Sequence, residues 1–146
     1  MKTILVAIDF SDCTEDVIKC AMEFAHAFRA ELALVHVAAP DPDFVGYDAG
    51  PQSVRDQLAH QFHREHRDLQ AIEGTLKNQE IPCRSLLIQG VTVEKIVEET
   101  KRLDVGLIIM GSHGHGALHN LLVGSVTEGV IRKTCCPILI VPSRKE

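Results

Sequence analysis

Four glycines and a serine mark the stretch of this chain best suited to chemistry. In GSHGHGALHNLLVGS, residues 111–125, Gly111, Gly114, Gly116 and Gly124 follow the apolar run DVGLIIM, and Gly124-Ser125 leads into a helical pattern. Glycines let a ligand approach the main chain, and a helix N-terminus offers unpaired N–H groups with about half a positive charge. Ser125 adds a hydroxyl able to cap the helix or to donate to a phosphate oxygen. The guest that suits this chemistry is a phosphate chain. Two other phosphate motifs fail on counting. G-x-x-x-x-G-K-[ST] needs a lysine where Ser125 follows Gly124, and G-x-G-x-x-G from Gly114 meets His119 in place of its third glycine. The plain alternative is a loop whose glycines only turn the chain from strand to helix.

Other residue types with chemical potential are weaker signals. His60, His63 and His66 are spaced by three and six, so they rotate around a helix, whereas a helical zinc pair prefers a spacing of four. A solvated face is the favoured reading. His115 and His119 are four apart, yet no carboxylate or cysteine beside them completes a metal site. His113 is assigned to hydrogen bonding on the phosphate side. The five cysteines, Cys13, Cys20, Cys83, Cys135 and Cys136, show no C-x-x-C spacing and read as small buried hydrophobes.

Positioning these residues requires a regular scaffold, and the hydrophobic pattern supplies one. KTILVAID reads as a buried strand, then FSDCTEDVIKCAMEFAHAFRA changes to helical period, with Ser11 or Asp12 as cap and Val17, Cys20 or Ala21, Phe24 and Phe28 inward. ELALVHVAA is a second strand, and PDPDFVGYDAGP a loop. The long amphipathic helix over residues 53–79 turns Val54, Leu58, Phe62, Leu69, Ile72 and Leu76 to the core. Strand PCRSLLIQ, helix TVEKIVEETKRL, strand VGLIIM, helix SVTEGVIRKT and strand PILIVP follow. Alternation with crossovers of this length predicts an α/β fold, an open parallel sheet with helices on both faces. In such sheets ligands bind beyond the carboxyl ends of the strands, where Asp9, Val37 and Gly111 converge.

Length and composition bound the rest. The 146 residues make one domain, 45% apolar and 24% charged, as in ordinary globular proteins. With 20 acids against 15 bases and no basic track, nucleic acid is excluded as the expected partner. The apolar stretch of MKTILVAIDFSD is interrupted by aspartate and too short for a signal or a membrane span, so the expected location is cytoplasmic, with no membrane partner.

The pattern Gly-x-x-Gly, nine residues, then Gly-Ser is met by Gly111, Gly114, Gly124 and Ser125. With ILVAIDFSD, LALVHV, IIMGSHGHG and GSVTEGVIRKTCCPILIVP, it makes the chain resemble, end to end, the nucleotide-binding subgroup of the universal stress proteins. The resemblance implies a single such domain over residues 1–146, a five-stranded sheet in the order 3-2-1-4-5, of the Rossmann-like, adenine nucleotide alpha hydrolase-like type, and a homodimer. It implies binding of ATP, AMP or another adenylate, with Mg2+ or Mn2+ held by the phosphates and not by protein side chains. By position, Asp9 and Val37 meet the adenine with Ala7 and Ile8 beneath it, and Met110 and Gly111 lie near base and ribose. Gly114, Gly124 and Ser125 hold the phosphates, and Val126 and Thr127 add backbone contacts. His115 stands where the family often has Arg or Lys, which removes a permanent charge.

Three or four amide and hydroxyl donors at roughly 1.5 to 3 kcal/mol each support micromolar binding without a lysine. Fast phosphoryl transfer needs fixed positive charge and a residue that orients the nucleophile, and the segment has only histidines. The expected function is therefore a stress-response module that binds ATP and hydrolyses it slowly at most. A slow metal-dependent ATPase or nucleotidyl-transfer enzyme and a nucleotide-free interaction module are the alternatives. PILIVP, bracketed by Pro137 and Pro142, is an apolar strand placed at a sheet edge, which pairing with a second copy would cover.

Overall fold

The computed structural model describes residues 2–39, 51–113 and 123–142. Its elements are β1 (Thr3–Ala7), α1 (Thr14–Phe28), β2 (Glu31–Ala38), α2 (Gln52–Asn78), β3 (Cys83–Gln89), α3 (Thr92–Arg102), β4 (Leu107–Gly111), α4 (Ser125–Lys133) and β5 (Ile138–Val141). The strands form one sheet in the order β3-β2-β1-β4-β5, and every pair is parallel. Fold class and strand order thus agree with the sequence reading. The predicted loop after β2 lies almost wholly outside the described residues, as do Gly114, Gly116, His115 and His119.

Side chains alternate across the sheet, so each strand feeds two cores. Ile4, Val6, Leu32, Leu34 and Ile109 join Val17, Ala21 and Ala25 of α1 and Leu69 and Leu76 of α2. Leu5, Val35, Ile108 and Met110 face the other way, onto Ile96 of α3 and Val130 of α4. Strands β1 and β4 are almost entirely apolar because both of their faces are covered. The helices change side between β1 and β4, and that is where a parallel sheet opens a crevice at its carboxyl edge.

Several local expectations need correction. Neither Ser11 nor Asp12 caps α1 by side chain: the cap residue is Cys13, and Ser11 offers its carbonyl to the Thr14 amide at 3.0 Å. Phe28 is exposed and stacks on Phe24, because the buried line of α1 runs through Val17, Ala21 and Ala25. In α2 only Leu69 and Leu76 are buried, while Val54, Leu58 and Phe62 on its first half are half-buried. Cys135 is exposed rather than buried, and Cys20 and Cys136 are half-buried. Burial pushes the Cys83 thiol up to about 11, so it is the inert hydrophobe that its position in β3 predicted.

Candidate functional site

The carboxyl end of β1 turns sharply at Asp9 and Phe10. Asp9 Oδ1 accepts from the Ser11 amide at 3.0 Å and from the Ser11 hydroxyl at 2.7 Å, with the Thr14 hydroxyl at 3.5 Å. The carboxylate therefore organises the strand-to-helix turn, a role its position at a strand end allows. Its Oδ2 makes no hydrogen bond among the described residues, and the side chain is exposed. Phe10 adopts φ 57°, a left-handed conformation that is uncommon for a bulky side chain and needs support from its surroundings. The support is His36 in β2, whose ring centroid lies 4.7 Å from that of Phe10.

A cleft of about 320 Å³ opens here, lined by Asp9 and Phe10, by His36 to Ala39 at the end of β2, and by Gln61, Arg64, Glu65 and Asp68 of α2. The spacing of the last four, i, i+3, i+4 and i+7, is one helical stripe. So Asp9 and Val37, both assigned to adenine from the sequence, share a cavity of ligand size. Ala7 is half-buried at the end of β1, and Ile8 is buried in the core with its amide bonded to the Val35 carbonyl at 2.9 Å.

The second half of the site is the junction of β4 and α4. The Gly124 amide donates to the Ser112 carbonyl at 2.7 Å, the Thr127 hydroxyl donates to the Gly111 carbonyl at 2.9 Å, and the Ser112 amide donates to the Val141 carbonyl at 2.8 Å. These bonds seat the start of α4 against the end of β4. Ser125 and Val126 are exposed, and as the opening residues of the helix they have amides without intrahelical acceptors. Ser125 makes no side-chain cap, contrary to one of its two expected uses. The Gly124 backbone is extended, at φ −73° and ψ 161°, so no left-handed geometry requires glycine there. At Gly111 the need is space: an added Cβ would lie 3.2 Å from Cys13 Sγ and 3.3 Å from the His113 carbonyl oxygen.

Met110 is buried 3% exposed in the core beneath α3 and α4, so its side chain is packing and only its backbone faces the crevice end of β4. His113 Nδ1 lies 2.9 Å from the Ser112 hydroxyl, half-buried at the same junction. Gly114 and His115 were assigned to the phosphates but fall outside the described residues. Cys13 joins the two halves, with Sγ 3.7 Å from the Val141 carbonyl oxygen. Burial raises its thiol pKa, and the nearby carboxylates of Asp16 and Asp9 raise it further. His60, His63 and His66 are all exposed, as a solvated face requires. What the sequence reading missed is the polar stripe of α2 and His36; the signal available was a lone histidine inside the apolar strand ALVHVAA.

Fold and site together define a class: a parallel α/β protein with a ligand-sized crevice at the carboxyl edge where its helices change sides. The model of the universal stress protein family matches residues 1–142, and the chain belongs to that family. A universal stress protein from Thermus aquaticus is 31% identical over 140 residues, covering 96% of this chain and 98% of the relative. The solved structure of protein MJ0577, a universal stress protein of Methanocaldococcus jannaschii, superposes with a TM-score of 0.84 at 29% identity, covering 99% of this chain and 98% of its own. A universal stress protein from Archaeoglobus fulgidus, solved in complex with dAMP, has a TM-score of 0.68 at 20% identity, covering 96% and 97% of the two chains, and shares the fold. Among the described residues no helix is long and apolar enough to cross a membrane.

Proposed function

We propose that this protein is an ATP-binding universal stress module that signals through occupancy and hydrolyses nucleotide slowly at most. The observation that carries the reading is the amide-bearing start of α4, clamped to the end of β4 by the Gly124–Ser112 and Thr127–Gly111 bonds, on the sheet edge that also holds the Asp9 and Val37 cleft. In this reading adenine enters the cleft, with Ala7, Ile8 and the backbones of Met110 and Gly111 beneath and beside it. The phosphates lie beside Gly124, whose own amide is held by the Ser112 carbonyl, on the amides of Ser125, Val126 and Thr127, joined by Gly114, His113 and His115. The Archaeoglobus relative carries an adenylate on the same fold.

Among the described residues no group of three or more His, Cys, Asp or Glu side chains is placed to hold a metal ion. In the same reading Mg2+ or Mn2+ is held by the phosphates, where it neutralises charge and sets their geometry. Calorimetry of the purified protein with Mg-ATP should give a micromolar Kd, and mass spectrometry of ligand released on denaturation should find an adenylate. No binding at millimolar ATP would overturn the reading, and turnover above about one per second would make the protein an enzyme.

Homodimerisation through β5 is part of the same proposal. Among the described residues the strand is an edge, paired only with β4, and Ile138, Leu139 and Ile140 are half-exposed. An apolar edge is a template for a second strand. Sedimentation at micromolar concentration should show a dimer; a monomer at that concentration sinks this part.

A further inference from the structure

We infer that His36 is a positioning residue of the adenylate cleft, joining β2 to α2 through one proton held between its Nε2 and the carboxylate of Glu65. The ring is buried, and its two nitrogens face opposite demands. Nδ1 is 2.7 Å from the Ile8 carbonyl oxygen. A carbonyl only accepts, so Nδ1 carries a hydrogen in either charge state. In the neutral ring Nε2 then bears a lone pair. That atom is fully buried, lies 3.3 Å from Glu65 Oε2, and has no aligned hydrogen-bond partner among the described residues.

A lone pair against a carboxylate repels, whereas one added proton converts the contact into an ion pair. Imidazole holds such a proton more strongly than a carboxylate, with ordinary values of about 6.5 against about 4.3. Asp9 lines the cleft from the β1–α1 turn, and Glu65, Asp68 and Arg64 line it from α2, so three carboxylates oppose one guanidinium. No residue of β3 lines it. The same ring fixes the Ile8 carbonyl, one residue before Asp9, and supports Phe10 in its left-handed conformation. Protonated His36 thus holds three walls of the cleft in register.

The affinity part of this inference rests on the adenylate reading; the clamp itself does not. Glu65→Gln separates proton sharing from mere packing, because an amide can donate to the neutral Nε2 and keep the clamp without the proton. Thermal midpoints of ligand-free wild type and E65Q, measured from pH 5.5 to 8.5, should diverge: wild type loses stability relative to E65Q as pH rises. Over the same range Mg-ATP affinity of wild type should weaken by about 5- to 10-fold while that of E65Q stays flat. Parallel profiles for the two proteins would overturn the inference. So would a long-range 1H–15N spectrum of the wild type that finds no hydrogen on His36 Nδ1, a measurement that needs no variant. If neither protein binds ATP at any pH, the adenylate reading fails, and the thermal profiles and the spectrum still decide the clamp.

Discussion

Ser125→Pro should weaken Mg-ATP binding on the order of 100-fold while leaving the thermal midpoint close to that of the wild type. Ser125 is the first residue of α4 and is exposed. Proline is well tolerated at that helical position, because its amide has no intrahelical acceptor to lose. The residue before a proline must be extended, and Gly124 already is, at φ −73° and ψ 161°. The substitution therefore removes one amide and one hydroxyl from the proposed phosphate site without disturbing the helix. Two donors to charged oxygens are worth roughly 1.5 to 3 kcal/mol each before compensation, and a net loss of about 3 kcal/mol is about 100-fold. Ser125→Ala, which keeps the amide, should lose nearer to 10-fold. Calorimetry with ATP, with adenosine as the ligand lacking phosphates, checks both variants. Unchanged ATP affinity in a folded S125P protein would remove α4 from the site.

The largest effect on stability should come from Ile108→Ala, at about 3 to 5 kcal/mol, whereas Ile138→Ala should cost about 1 to 2 kcal/mol. The two residues are register partners across β4 and β5 and look onto the same core. They differ in their setting. Ile108 is 0% exposed on a strand paired on both sides, with Leu5, Val35, Ile96 and Val130 in the same buried cluster. Ile138 is half-buried on the edge strand, so truncation there removes less burial, and neighbours and water fill the gap more readily. Denaturant melts of the two variants give the difference directly. Equal losses would mean that β5 is as enclosed as β4, as a large interface over that edge would make it.

Much of this architecture is local in origin and was therefore readable in the amino-acid order. A β-branched run such as TILVA favours a strand, and an i, i+3, i+4 pattern such as VEKIVEETKR favours a helix, whatever lies elsewhere in the chain. Every element stands within a few residues of its predicted place, and the alternation alone implies a parallel α/β sheet. Asp9 and Val37 were found as cleft residues because strand ends are where such sheets open.

Contacts between distant segments could not be read in this way. VGLIIM and PILIVP look equally apolar as text, and the edge place of PILIVP followed from the family resemblance and not from its residues, since strand order is a property of the whole sheet. Met110 was placed beside a ligand, but the alternation across β4 turns its side chain into the core beneath α3 and α4. Thr127 and Gly111 are sixteen positions apart, and His36 and Glu65 twenty-nine, so neither pairing leaves a periodic trace. Sequence periodicity determined the elements and the edge of the sheet where the cleft opens. Tertiary packing decided which helix walls the cleft and what Asp9 and Thr127 hold, because those contacts form only after helices from separate crossovers close onto one sheet.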